Sequence, residues 1–298
     1  MFKTIKTSFS ILIFSLIIFF ACDEQEKTRQ FTEKEKKVIT AFSNQLLKSF
    51  QEFDPSFVKN KWSIQAFRKR ITGLNKVQND VLNYIMEEFV NNQIKFGNVS
   101  LVNEIYENSG KVYHSGLQHF GSYSELTLLL NYEASFKLLK YRIEFIKGKP
   151  CLSDAYDFRD NTWYSEAIKN NIYLNSRYNA FSEERRQANL AWNGYIYSLN
   201  RGDTLNAYRS LLDIPDTHLI GNTISIAKLN LAMSLGDSLL IETLVEESAK
   251  NESIYMRYLV AFYFLEESDM MTISEELSKE TGNKAALDTL FQKYYFWQ

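Results

Sequence analysis

Residues 138–158, LLKYRIEFIKGKPCLSDAYDF, decide the fold. Tyr141, Ile143 and Phe145 alternate with Lys140, Arg142, Glu144 and Lys147, which is the period-two pattern of a strand with one buried face. Gly148-Lys149-Pro150 then reads as a turn, and Cys151 onward as the returning strand. Upstream, ELTLLLNYE (125–133) is equally rich in aliphatic residues. The spacing predicts a small antiparallel sheet whose shielded face is packed by the helices before it.

Those helices are legible from their starts. Thr32 and Glu35 form a capping-box pattern, and Val38, Ile39, Phe42, Leu46, Phe50 and Phe53 recur at helical spacing, predicting a helix over 33–52 that stops before Asp54-Pro55. Ser63 is a candidate N-cap for a second helix with Phe67, Ile71 and Leu74 on one face. Leu82, Ile85, Phe89 and Val90 continue the pattern beyond Thr72-Gly73, and such stripes read as core. Helices followed by a curved antiparallel hairpin resemble, over residues 60–170, the cone-shaped α+β folds of the NTF2-like or cystatin-like kind. The resemblance implies a pocket at the open end of the sheet, within an α+β module over 32–172.

Residues 173–298 have a different texture. YIYSLNRGDTLNAYRSLL (195–212), LNLAMSLGDSLLIETLV (229–245) and AFYFLEESDMMTISEEL (261–277) align on Asp203, Asp237 and Asp269, spaced 34 and 32 residues apart. Apolar columns stand eleven (Trp192, Ile226, Tyr258), eight (Tyr195, Leu229, Ala261) and four (Leu199, Met233, Leu265) residues before each aspartate. Others follow at two (Leu205, Leu239, Met271), four (Ala207, Ile241, Ile273) and eight (Leu211, Val245, Leu277) after it. Each aspartate is expected to cap the second helix of a pair, and Gly202 and Gly236 to end the first. The period resembles tetratricopeptide-type repeats, although the consensus alanine of the second helix is kept only as Ala207 and the terminal proline only as a shifted Pro215. The reading is a TPR-like α-solenoid, closed by a capping helix in NKAALDTLFQKYYFWQ (283–298). The fold class is thus mostly α, an α+β module followed by this solenoid.

At the other end, Lys3 and Lys6 precede an apolar run from Phe9 to Ala21, of signal-sequence length and short for a membrane span. Ala21-Cys22 closing that run resembles the lipobox of bacterial lipoproteins, with bulky Phe19 and Phe20 departing from its usual residues. The resemblance implies a signal peptide over 1–21, lipidation (palmitate included) at Cys22, and an acidic tether over 22–31. Asp23, Glu24 and Glu26 resemble the export signal of Bacteroidota lipoproteins, implying the outer face of the outer membrane. The alternative is a periplasm-facing anchor.

Composition bounds the rest. The 298 residues are 45% hydrophobic and 15% aromatic, enough for a packed core, with 34 basic against 36 acidic residues and no basic stripe, so nucleic acid is not an expected partner. With Cys22 lipidated, Cys151 stands alone, which excludes a disulfide framework and multi-cysteine zinc.

Candidate chemistry is sparse. His114 and His119 lack ligand spacing and His218 is remote, so no metal is expected. Ser56 and Lys59 match S-x-x-K without the companion motifs of penicillin-recognising enzymes. Asp154, Asp157 and Asp160 form a carboxylate cluster without the glycine and closing glutamate of a calcium loop, and such acids usually bond nearby amides. No Walker loop, nucleophile elbow or dinucleotide fingerprint is present. The expected function is a non-catalytic, cofactor-free envelope protein, anchored to the membrane through its lipid and recognising a protein partner through the solenoid. Tyr195, Tyr208, Tyr258 and Tyr263 are its candidate anchors. The alternative is a small-ligand-binding or hydrolytic lipoprotein using a pocket in the α+β module, and a third reading is a purely structural envelope component.

Overall fold

The computed structural model describes residues 30–89, 101, 105–107, 110–131, 136–175, 183–215, 222–251, 253–264 and 267–281. Residues 1–21, Cys22, Asp23, Glu24, Glu26, His218 and residues 283–298, on which the expected signal peptide, lipidation site, export signal and capping helix fall, lie outside the described residues.

Helix α1 (Glu33–Gln51) begins with the expected capping box: Glu35 N donates to Thr32 Oγ1 at 3.2 Å and Thr32 N donates to the Glu35 carboxylate at 2.9 Å. It buries Ile39, Phe42, Leu46 and Phe50, whereas Val38 and Phe53 of the predicted stripe are exposed. Short helices α2 (Ser56–Lys61) and α3 (Ile64–Arg70) follow, the latter capped by Ser63, whose hydroxyl accepts from Ala66 N at 3.2 Å. The chain then turns through Gly73 into α4 (Lys76–Phe89).

Five strands form one antiparallel meander, β1 (Lys111–Phe120), β2 (Tyr123–Asn131), β3 (Phe136–Ile146), β4 (Lys149–Asp157) and β5 (Thr162–Trp163). The turn between β3 and β4 is the two-residue Lys147-Gly148, both at positive φ (51° and 76°), which matches the strand twist. It falls one residue earlier than the predicted Gly148-Lys149-Pro150.

The first face of the sheet packs Leu126, Leu128, Leu130, Leu139, Tyr141, Ile143 and Leu152 on Ile39, Leu46, Phe50 and Phe67 of the preceding helices. The second face is also partly covered. There Leu129, Leu138 and Phe158 meet Tyr258, Ala261, Met270, Ile273 and Leu277 from the C-terminal helices.

After α5 (Tyr164–Asn175) come three helix pairs, α6 (Glu183–Asn200) with α7 (Thr204–Leu212), α8 (Thr223–Leu235) with α9 (Asp237–Lys250), and α10 (Ile254–Phe264) with α11 (Glu267–Thr281), each packed on the next. The chain is therefore mostly helical with a small antiparallel sheet. Asp203 caps α7 as expected, accepting from Asn206 N at 3.1 Å. The other two aspartates do not play that part: Gly236 occupies the cap of α9, so Asp237 is its first helical residue, and Asp269 lies inside the first turn of α11. Counted from the helix starts, which are 33 and 30 residues apart, Ala207, Leu240 and Met270 fall in one buried column. Leu211, Leu244 and Ser274 fall in a second, and Ile214, Glu247 and Leu277 in a third. The aspartate alignment had placed Ile241 and Val245 in the core. They are exposed, as are Leu199 and Met233 of the column four residues before the aspartates.

Candidate functional site

The uncovered end of the second sheet face is a cleft, and three local features build it. Strand alternation places Arg142 and Glu144 of β3 on this face, registered against Glu125 and Tyr123 of β2. A β-bulge then shifts β4, so that Ile143 pairs with Leu152 and Arg142 with Asp154, with Ser153 between them. The extra residue keeps Leu152 and Ala155 both in the first-face core and brings Asp154 beside Arg142. Finally, Ser63 N donates to Leu152 O at 2.8 Å, docking the start of α3 along β4 and delivering Lys69 and Arg70, while α5 delivers Ser165 and Glu166 from the other side. The cavity encloses about 810 Å³ between these walls, with Phe31, Phe145 and Trp163 among its lining.

The walls are charged and largely self-paired. Arg142 donates from Nη2 to Glu125 Oε1 at 2.9 Å, and its guanidinium lies 4.3 Å from the ring centre of Tyr123 and 4.1 Å from that of Trp163. Arg70 pairs with Glu144, whose carboxylate also accepts from Ser153 Oγ at 3.0 Å. Burial, and then the neighbouring Arg142 charge, pull Arg70 down to about 10 against the opposing pull of Asp154. The Nε atoms of Arg70 and Arg142 are buried without a hydrogen-bond partner among the described residues. Two guanidinium groups are therefore held close together in a partly desolvated wall.

Asp154 forms the floor at 1% exposure. Its Oδ1 accepts from Ala155 N at 2.9 Å and Ser165 N at 3.2 Å, and its Oδ2 accepts from Ser165 Oγ at 2.5 Å. Burial nevertheless pushes the carboxyl up to about 6, against these bonds and the Arg70 charge. It can hold or release a proton near neutrality. On the α5 wall, Glu166 Oε2 accepts from Trp163 N at 3.2 Å.

The other residues singled out in the sequence lie apart from the cleft floor. Asp157 accepts from Arg159 N at 2.9 Å and pairs with Lys137 at 3.5 Å, and burial and Asp157 together raise Asp160. No group of three or more His, Cys, Asp or Glu is set to hold a metal among the described residues. Ser56 gives its hydroxyl to Asp54 at 2.8 Å, the geometry of a turn, and Lys59 is exposed. His119 bonds Ser124 Oγ at 2.8 Å, its basicity lowered by burial and Lys36, and the His114 side chain lies outside the described set. Cys151 is a half-buried free thiol 3.4 Å from Glu144 O, raised by burial.

Of the four tyrosines proposed as partner anchors, Tyr208 and Tyr258 are core residues and Tyr195 is half-buried, leaving Tyr263 exposed. Tyr208 is held because its hydroxyl meets Thr243 Oγ1 at 2.7 Å across α7 and α9. Sequence reasoning found Asp154 but missed Lys69, Arg70, Arg142, Glu144, Ser165 and Glu166 as site residues. The signal available was the run Lys140, Arg142, Glu144 on one strand face, which the alternation marks only as the side opposite the buried one. No family model matches the chain, and neither does any curated protein or solved structure, so the cleft is interpreted from its own geometry.

Proposed function

We propose that this chain is a lipid-anchored envelope protein that binds a small polar ligand, without catalysis, in the cleft between α3, α5 and the sheet. The observation that carries the reading is the convergence of Lys69, Arg70, Arg142, Glu144, Asp154 and Glu166 on one cavity of about 810 Å³, a size ordinary for small-molecule sites. A thermal-shift screen of the full chain in detergent against a library of small polar metabolites tests it. A reproducible hit whose effect disappears in Arg142→Gln supports the reading, and no stabilising compound overturns it.

The anchoring part of the proposal rests on the lipobox resemblance at Cys22 and the acidic Asp23, Glu24 and Glu26 after it, which also favour surface exposure. No described helix is long and apolar enough to cross a membrane. Cys22→Ala should abolish fatty-acid labelling and release the protein from the membrane fraction. Retention of label would sink this part.

A second reading has its own support. Leu199, Leu205, Met233, Ile241, Val245 and Met271 are exposed along the three helix pairs, consistent with a TPR-like stack that recognises a protein partner or scaffolds an envelope assembly. In-cell crosslinking of the lipidated protein followed by mass spectrometry should then recover one dominant partner, and Met233→Glu should lose it.

A further inference from the structure

The geometry points to a short peptide with free termini as the cleft's ligand, its carboxylate lying against Lys69 and its ammonium facing Glu166. This inference rests on the small-ligand reading of the cleft and names the class of ligand. Three observations lead to it.

The first is the division of charge between the walls. Glu125 is committed to Arg142 and Glu144 to Arg70, so these internal pairs cancel. What remains is an exposed ammonium, Lys69, at the end of α3, and, on the α5 side, the exposed carboxylate of Glu166, which accepts from Trp163 N through Oε2. Asp154 lies beneath, 1% exposed and bonded to Ala155 and Ser165. A molecule bearing opposite charges at its two ends complements such a cleft, whereas a simple anion would face Glu166 as well as Lys69 and a simple cation would face Lys69 as well as Glu166.

The second is the state of the aromatic rings. Trp163 carries Arg142 at 4.1 Å and packs on Tyr156 at 5.3 Å; Tyr123 carries the same guanidinium and stacks on Phe120 at 5.2 Å. Phe31 is buried against Phe145 and His119. These rings are engaged within the protein, so the cleft is poorly furnished for stacking a neutral sugar and recognises its ligand by charge and hydrogen bonds.

The third is size. About 810 Å³ exceeds what a single amino acid fills and suits two or three residues; on the lining, Ser165 Oγ can accept from their amide N–H groups and Ser122 can bond their amides.

Titration calorimetry on the full chain in detergent, with trialanine, N-acetyl-trialanine, trialanine amide and maltose, tests the class. Trialanine is expected to bind, and each capped form to bind about tenfold more weakly or worse. Lys69→Gln should weaken trialanine while leaving the amide unchanged, and Glu166→Gln should weaken trialanine while leaving the N-acetyl form unchanged. Both side chains are exposed, and a glutamine at 166 keeps an oxygen to accept from Trp163 N, so the variants should melt like the parent, which a thermal scan checks. Capped and free peptides binding equally, or maltose binding in place of trialanine, overturns the peptide assignment and leaves the small-ligand reading standing. Silence from all four probes also overturns the peptide assignment. The separate metabolite screen then decides the broader reading.

Discussion

Asp154 carries three donors on its carboxylate and is still held near 6, above its ordinary value of 3.8, because burial outweighs those bonds. For an acid whose folded value is raised, the folded state prefers the proton. The stability this contributes is complete below about 3.8 and is lost as pH rises through about 6. A gap of this size corresponds to roughly 3 kcal/mol between the two ends of the window. Asp154→Asn should therefore flatten the fall in melting temperature between pH 4 and pH 7, and an unchanged slope in the variant would show that another group carries it. Tyr208 makes a simpler case. Thr243 Oγ1 already donates to Leu239 O at 2.7 Å, so the proton between Thr243 and Tyr208 comes from the tyrosine. Tyr208→Phe removes one buried bond without stranding a donor and should lower stability by about 1 kcal/mol in urea titration. Sequence alone could mark Asp154 as one acid among three, but not its partner Ser165. The bulge at Ser153 and the β4–β5 turn bring them together, and neither has a residue pattern of its own.

At the scale of elements, the repeat period was legible and its register was not. The aspartates recur because each lies near the turn within a pair, yet only Asp203 caps a helix; at Gly236, φ 136° and ψ 156° let the chain enter α9 one residue sooner. That conformation is essentially reserved for glycine. A Cβ at Gly236 would meet no atom within 4 Å, so Gly236→Ala should cost about 1–3 kcal/mol through the backbone alone, read as a lower urea midpoint. A midpoint within error of the parent would mean that the junction relaxes. The one-residue shift also explains Glu247, which falls in the buried column shared with Ile214 and Leu277. There Lys228 Nζ lies 2.7 Å from Glu247 Oε1, and Ser225 Oγ donates to Oε2 at 2.7 Å, all within the α8–α9 interface. Glu247→Ala leaves the Lys228 ammonium buried without its partner and should cost about 3–5 kcal/mol. Lys228→Met combined with Glu247→Leu should recover most of that loss, since an apolar pair of similar volume removes the desolvation penalty. If the double variant is as unstable as the single, the pair is a net stabiliser.

For the whole molecule, the sheet is where both halves meet, and its two faces were unequally legible. The first face was visible in Tyr141, Ile143 and the leucines of β2, whose alternation follows from having one buried side. The second face could not be read as buried, because Leu138 is followed at alternate positions by Lys140, Arg142 and Glu144. Its apolar end is covered by helices that begin more than a hundred residues later, and its charged end is the cleft. A polar clasp reinforces the contact. Asn222 donates from its backbone N to Asp160 O at 2.7 Å and from Nδ2 to Arg159 O at 2.8 Å, and its Oδ1 accepts from Asn251 and Ser253 ahead of α10. Since Leu138 touches the C-terminal helices and not only its own sheet, Leu138→Ala should remove support from both. The expected cost is about 2–5 kcal/mol, depending on how far the site collapses. Hydrogen exchange followed by mass spectrometry should then rise in Ile254–Phe264 and Glu267–Thr281 as well as in β3. If faster exchange stayed within the strands, the helices would be holding together without the sheet, and the cleft's open end would owe nothing to where they dock.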